Sequence, residues 1–509
     1  MRYGLLRKIA AAALVACAAA CGGDQDEGGS APTPLPALSP LRAQRGDGPG
    51  IFDAQGRQVL LRGINLNSLG DYYQANAHYA PVLPLSSTDF PRMASHGFDA
   101  VRLVLSWSAL EPERDHVSTE YLKRIRTAVD AAKANGIYVI LDMHQDAWGK
   151  FIATPPGTPC PPGREPAIGW DGAPEWATIT DGRGTCRVPG VRELSFAVSR
   201  AFDNFYNDRD GIQAQLIEAW AALAREFARE PAVAGYDLLN EPHFGSNLTG
   251  AAPVLAAYYG RVIPAIRAAE QAAGGMSHIV FFEPVIVWPV ADSAPPADFT
   301  DDDNIVYAPH NYAESLTDLN ALTVEEGFAR AAEDAAMYGS TFWIGEYGWF
   351  SDPPSNKQRL VRYAAEEDRR MIGGAWWQWK QACGDPHSIG QPGAEPPPQL
   401  ILFDYRRCPG DIDDGPVPEW ESVLSRPYPR AAPGRLLSLE SDGDSGTLQL
   451  TGLADAAAAG ARLDLWVPDR NAAPSVTGAG FSDLSMTKVP GGFRILAKVS
   501  GSYAVTVDR

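Results

Sequence analysis

Ala234-Gly235-Tyr236-Asp237-Leu238-Leu239-Asn240-Glu241-Pro242-His243 is a largely apolar run of strand length that stops abruptly at an amide, a carboxylate and a proline. A strand that is apolar on both faces belongs in a parallel sheet covered by helices. Seven further runs of this kind lie on either side: Leu60 to Asn65, Ala100 to Trp107, Ile137 to Met143, His278 to Glu283, Asn304 to Pro309, Phe342 to Glu346 and Gly374 to Trp379. Helical periodicity separates them. Tyr121, Leu122, Ile125, Val129 and Ala132 form one apolar face that ends at Asn135-Gly136, and Ile212, Leu216, Trp220, Leu223 and Phe227 form another that stops before Pro231. Eight buried strands alternating with helices predict an α/β fold, a (β/α)8 TIM barrel over residues 50–428. No short-period repeat competes with this reading.

In such a barrel the strand ends face one rim, where active sites of this fold are built. The residues brought there are Asn65 and Asn67, Arg102 with Trp107, His144 to Asp146, Asn240 to His243, Glu283, His310 and Tyr312, Glu346 and Tyr347, and Trp376 to Trp379. Glu241 closes the fourth run and Glu346 the seventh. Two carboxylates across a sugar-sized cleft are the machinery of glycoside hydrolysis, one protonated to serve the leaving oxygen and one ionised to attack the anomeric carbon. Either glutamate alone reads equally well as a structural carboxylate. Asp142, His144 and Asp146 are polar groups able to fork onto the hydroxyls of one sugar, although Asp142 also reads as an orienting partner for Arg102 or His144.

These residues resemble glycoside hydrolase family 5 from about Ile51 to Tyr428. The resemblance implies that Glu241 is the general acid/base and Glu346 the nucleophile of a retaining double displacement. It also implies that Asn240 binds the sugar 2-hydroxyl, that Arg102 and Tyr312 (with Tyr347 ranked below it) hold the nucleophile ionised, that His310 tunes the acid/base, and that Trp379 supports the sugar. Leu141-Asp142-Met143-His144-Gln145-Asp146, Gly172-Ala173-Pro174-Glu175-Trp176-Ala177, Arg200-Ala201-Phe202-Asp203-Asn204-Phe205 and Arg426-Pro427-Tyr428-Pro429-Arg430 resemble the endoglycoceramidase branch, whose members cut between sugar and ceramide in glycosphingolipids. Asn65-Leu66-Asn67-Ser68-Leu69-Gly70 lacks the lysine expected of glucosylceramide-cleaving members. Trp376-Trp377-Gln378-Trp379-Lys380 looks more like the galactosylceramide-cleaving, or endogalactosylceramidase, sister group, with Lys380 as a candidate replacement donor. Phe244, Leu248, Val285, Ile286, Val287, Trp288, Trp349 and Phe350 either line an apolar channel for the lipid or pack the barrel top. A soluble β-glucan or β-glucoside substrate, and a non-catalytic glycan-binding lipoprotein, are the alternatives. No cofactor or metal is expected. The partners expected are a glycosphingolipid or oligosaccharide and a membrane surface, with the chain itself monomeric.

The 509 residues carry a formal charge of −19, which disfavours a nucleic-acid partner. Arg2, Arg7 and Lys8 followed by a short apolar segment read as an export signal over residues 1–20. Leu14-Val15-Ala16-Cys17 and Ala18-Ala19-Ala20-Cys21 both resemble a bacterial lipobox; lipidation at Cys21 or Cys17 predicts a cell-surface lipoprotein, and plain secretion is the alternative. Residues 21–49, rich in Gly and Pro, predict a flexible linker. Cys160, Cys186, Cys383 and Cys408 then predict disulfides in an oxidising compartment. Three connectivities are open, and Cys160 with Cys186 and Cys383 with Cys408 is favoured because each pair staples one Pro/Gly-rich loop. Pro427 to Pro433 reads as a linker. Beyond it, Leu436 to Leu439, Thr447 to Leu450, Arg462 to Trp466, Gly492 to Leu496 and Tyr503 to Val507 predict a β-sandwich over 434–509, with Trp466 in its core.

Overall fold

The computed structural model describes residues 37–291, 293–315, 322–350, 353–396, 403–408, 410, 412–458, 460–470 and 472–509. The export signal and both lipobox cysteines lie outside these residues. Eight parallel strands form one sheet: β1 (Gly63–Leu66), β2 (Ala100–Ser106), β3 (Tyr138–His144), β4 (Val233–Asp237), β5 (Ile279–Phe282), β6 (Ile305–Tyr307), β7 (Ile344–Tyr347) and β8 (Gly374–Trp376). The sheet runs β7-β8-β1-β2-β3-β4-β5-β6 and closes through a parallel bridge from Tyr307 to Phe342, with the Trp343 N–H donating to the Tyr307 carbonyl at 2.9 Å. Each strand coincides with one of the apolar runs.

Alternation along the strands positions the site. Side chains two apart share a face. Ala100, Ile140, Phe281 and Ala308 belong to one core with Leu41, Ile51 and Leu61 at the lower end of the barrel. The next inward positions are Arg102, Asp142 followed by His144, Glu283 and His310. The inner face is thus apolar at the bottom and polar at the top.

The outward faces pack on helices. Helix α1 (Asp89–Ser95) follows β1, and α2 (Thr119–Ala134) follows β2, starting at Ser118, whose side chain accepts the Tyr121 N–H at 3.2 Å. Tyr121, Ile125, Val129 and Ala132 are buried as their spacing predicts. Helices α3 (Phe196–Tyr206) and α4 (Ile212–Phe227) follow β3, α5 (Ala251–Ala272) follows β4, α6 (Val324–Met337) follows β6, and α7 (Pro353–Arg370) follows β7. All five residues of the predicted α4 face are buried. The crossover from β5 to β6 departs from the repeating pattern, for its described residues 283–291 and 293–304 contain no helix.

Both expected linkers contain strands among their described residues. Within 21–49, Leu41–Gln44 is a strand paired antiparallel with Gly50–Asp53, Leu41 and Ala43 are buried, and the Gly- and Pro-containing 46–49 forms the turn. Tyr428–Pro433 (β9) is likewise a largely buried strand, paired with Arg57–Gln58 on one side and β12 (Arg462–Pro468) on the other. The C-terminal strands β10 (Arg435–Ser441), β11 (Leu448–Ala454), β12, β13 (Ser475–Val489) and β14 (Gly492–Asp508) therefore continue one hydrogen-bonded network with the N-terminal strands instead of standing beyond a tether. Strand β14 merges two predicted strands, pairing with β12 in its first half and β11 in its second. The exposed β13 was not foreseen, since it lacks an apolar face. Trp466 is buried as expected. Between the all-β part and α7, Arg426 donates to Glu367 at 2.7 Å and contacts Asp368, which also binds Arg62 and Ser441.

The disulfides are Cys160–Cys186 and Cys383–Cys408. The first closes part of the loop after β3 and the second the loop after β8. Arg187 joins the two by donating to the Gly390 carbonyl at 2.6 Å.

Candidate active site

Arg102 organises the floor of the rim. Its side chain has no solvent exposure and touches Asp237 at 2.8 Å, Asn240 Oδ1 at 2.9 Å, Asp142 and Glu283 at 3.0 Å each, and Glu346 Oε1 at 2.7 Å. One guanidinium thus fixes groups from the ends of four strands, β3, β4, β5 and β7. Burial opposes its charge, but this carboxylate ring keeps it firmly protonated. Asp142 also accepts from His144 Nδ1 at 2.7 Å, so the orienting reading of this residue applies to both Arg102 and His144.

Glu346 Oε2 accepts from the Tyr312 hydroxyl at 3.0 Å, which completes its pair of donors. Tyr347 lies elsewhere, stacked on Tyr363 with ring centroids 4.0 Å apart. Across the cleft, Glu241 Oε1 meets His310 Nδ1 at 3.1 Å and Oε2 meets the Arg192 guanidinium at 3.0 Å. The Glu241 backbone N–H donates to Glu283 at 2.9 Å, holding the residue at a φ of 39°, in the left-handed region. One carboxylate oxygen of Glu241 and one of Glu346 lie within 4.8 Å of each other, with His310 between them. Carboxyl groups of retaining glycosidases stand about 5 Å apart, against ~6.5–9.5 Å in inverting ones.

The two carboxylates sit in different fields. Burial pushes Glu241 up, but the hydrogen bond and charge of His310 and the Arg192 guanidinium outweigh it and hold the group below the usual carboxylate range. Burial works against a charged His310, yet Glu283, Glu346 and Glu241 hold it well above the usual imidazole range. Glu283 itself is raised by burial, only partly offset by His310 and Arg102.

One wall of the cleft is built by the loops after β3 and β8. His144 stacks on Trp377 with centroids 5.5 Å apart and planes at 15°. Asp146 receives Arg192 at 2.7 Å and His387 Nε2 at 3.0 Å, and His387 Nδ1 pairs with Asp385 at 2.7 Å. Burial disfavours the His387 charge, but Asp385 and Asp146 push the group up to about 9. Asn240 is engaged at both ends, its amide donating to the Gln145 carbonyl at 3.1 Å. A second convergence, His144, Asp146 and Asp171 within 4.8 Å, has its charge balanced by Arg192 and His387, so its electrostatics do not require a metal.

Arg102, Asp142, His144, Asp146, Asn240, Glu241, His310, Tyr312 and Glu346 are therefore brought together. Trp379 and Lys380 are not. Trp379 is buried, stacked on Phe403, with its indole N–H donating to Asp89 at 3.1 Å. Lys380 is 3% exposed and binds Asp89 at 2.7 Å and the Pro84 carbonyl at 2.9 Å, so it joins α1 to the barrel and does not replace the missing lysine. Lys380→Met, which strands the buried Asp89 charge, is expected to cost about 3–5 kcal/mol of stability. Denaturant unfolding beside a KM measurement checks this, since KM should stay within about twofold of wild type.

Arg192, Asp385 and His387 were missed as site residues, and Trp377 was placed on the rim without a role. Arg192, Asp385 and His387 belong to loops, where no strand register says which side chain faces the cleft. The only available signal was that the disulfide cysteines staple these same loops.

The family model of cellulases (glycosyl hydrolase family 5) matches residues 52–383. Endoglycoceramidase I of Rhodococcus hoagii is 28% identical over 416 residues, covering 74% of this chain and 76% of that protein. The crystal structure of an endogalactoceramidase is similar with a TM-score of 0.85 at 43% identity, covering 92% of this chain and 100% of that one. A ganglioside GM3 complex of endo-glycoceramidase II from Rhodococcus sp. superposes with a TM-score of 0.69 at 26% identity, covering 90% and 99%. With its barrel, its carboxylate pair and the family match over most of its length, the chain belongs to glycosyl hydrolase family 5, a glycoside hydrolase.

Proposed function

We propose that the protein is a retaining endo-β-glycosidase that cleaves the bond between oligosaccharide and ceramide in glycosphingolipids, with Glu346 as nucleophile and Glu241 as acid/base. The observation that carries this reading is the pair of carboxylates within 4.8 Å, one fixed by Arg102 and Tyr312, the other held by His310 and Arg192. In the first step a Glu346 oxygen bonds to the anomeric carbon while the carbon–oxygen bond to ceramide breaks, and Glu241 gives its proton to the departing oxygen. In the second, water attacks the glycosyl ester from the opposite face and returns a proton to Glu241, freeing Glu346.

The relatives named endoglycoceramidase and endogalactoceramidase support the glycolipid substrate. The higher identity to the endogalactoceramidase supports galactose as the ceramide-linked sugar. An apolar rim supports the lipid side. Of the expected set, Phe350 is 50% exposed and lies 5.6 Å from the Tyr312 ring and Leu248 is 47% exposed, and Val290, which was not in that set, is 64% exposed. Val285, Trp288 and Trp349, from the same expected set, pack in the barrel top. Phe350→Ser is expected to raise KM for a glycolipid about tenfold, the order expected from burying one phenyl ring, and to leave a soluble aryl glycoside within about twofold. Parallel kinetics on the two substrates check this. A lipid on Cys21 or Cys17 would hold the site at a membrane surface; mass analysis of the mature N-terminus, grown with labelled palmitate, tests that part.

Incubation with galactosylceramide-based and glucosylceramide-based glycolipids, alongside cello- and laminari-oligosaccharides, tests the substrate. Intact oligosaccharide plus ceramide is expected, faster from the galactosyl series. Cleavage of the soluble glucans alone removes the ceramide reading. No cleavage of any substrate favours glycan binding.

A further inference from the structure

Arg192 is a cation of the cleft that the family resemblance did not foresee. It lies six residues beyond Cys186, its guanidinium stacks over Trp170 at 4.8 Å, and its side chain is 22% exposed. A single nitrogen, Nη2, binds Asp146 at 2.7 Å and Glu241 at 3.0 Å, while Nε contacts Glu193. It therefore ties one wall of the cleft to one oxygen of the acid/base, and the chain continues from Asp146 through His387 and Asp385 to Asn67.

Resting on the assignment of Glu241 as acid/base, we propose that Arg192 is a positioning residue that grips Glu241 in the free enzyme and lets go when sugar hydroxyls take its place. The exchange is chemically balanced. A bound sugar offers hydroxyl oxygens that accept from the guanidinium and hydroxyl protons that donate to Asp146, so Arg192 stays paired after leaving Glu241. Glu241 then takes a proton from solvent, delivers it to the leaving oxygen, and regains one from the attacking water. Entry of substrate would thereby make the acid form available at the moment it is used.

The groups facing Glu241 are Arg192, Glu193 and Asp146 from the loop after β3, Glu283 after β5, His310 and Tyr312 after β6, and Glu346 on β7. Arg192 and His310 are the cations among them. A neighbouring cation favours the carboxylate, so removing Arg192 raises the pH at which Glu241 gives up its proton. The alkaline limb of kcat/KM, which reports the acid in the free enzyme, then moves upward.

The test compares wild type, Arg192→Lys, Arg192→Met and Glu241→Gln in pH profiles of kcat/KM on a glycolipid, with thermal unfolding as the control for folding. The limb is expected to rise by about one pH unit or more in Arg192→Met, to stay near wild type in Arg192→Lys, and to vanish in Glu241→Gln. A limb that vanishes in Glu241→Gln yet stays in place in a folded Arg192→Met overturns the role of Arg192 alone. Persistence of the limb and of full turnover in Glu241→Gln overturns the acid/base assignment on which it rests. If Arg192→Met does not fold, Arg192→Gln supplies the neutral side chain, read in the same way.

Discussion

Glu346→Gln is expected to reduce kcat/KM at least ~10³-fold on every substrate, while unfolding at the wild-type temperature. Removing the nucleophile eliminates the covalent route whatever the leaving group, and the amide keeps contacts to Arg102 and Tyr312, so the fold is spared. Glu241→Gln should lose as much on a glycolipid, whose alkoxide leaving group needs a proton, and far less in the first step on a dinitrophenyl glycoside, whose leaving group does not. Added azide distinguishes the two further. It should yield an α-glycosyl azide with Glu346→Ala, by direct attack, and a β-glycosyl azide with Glu241→Ala, by attack on the intermediate. Near-wild-type turnover by either variant on the glycolipid would contradict the assignment.

Arg102→Leu is expected to be the most damaging substitution for stability. The guanidinium contacts Asp142, Asp237, Glu283 and Glu346 at 2.7–3.0 Å with no access to water. Breaking a buried charge pair by removing one partner typically costs about 3–5 kcal/mol, and here four carboxylates lose the same partner. Much of the variant should fail to fold at neutral pH, and part of the loss should be recovered in acid, where the stranded carboxylates take up protons. Arg102→Lys keeps one charge and folds, but an ammonium cannot span the ring, so kcat should fall at least tenfold. Chemical unfolding across pH, paired with kcat for the lysine variant, reads both effects. Equal stability of Arg102→Leu and wild type would mean that the ring is balanced by other groups.

The barrel and the carboxylate pair were legible because both are written in strand register. Apolar runs broken by Asn, Glu or His at their upper ends give the strand and its cleft-facing residue together, as at Asn240-Glu241 and Gly345-Glu346. Register ends where the strand ends. Strand β8 stops at Trp376, and past it the resemblance assigned Trp379 to the cleft, whereas the chain turns so that Trp377 meets His144 and Trp379 faces Asp89. Arg192 and His387 were hidden for the same reason, since a loop closed by a disulfide presents side chains according to its own path. Leu41–Gln44 and Tyr428–Pro433 were misread because local Pro and Gly content says nothing of a partner strand, whether it lies just beyond a turn, as Gly50–Asp53 does, or farther along the chain, as Arg462–Pro468 does.

The most direct measurement is real-time proton NMR of the anomeric signals during hydrolysis of a galactosylceramide-based oligosaccharide lipid. A retaining enzyme with carboxylates at this spacing releases the intact oligosaccharide as its β-anomer first, the α-anomer growing later by mutarotation, with ceramide as the other product. Release of the α-anomer first, or of monosaccharides without ceramide, would contradict a retaining cleavage between oligosaccharide and ceramide.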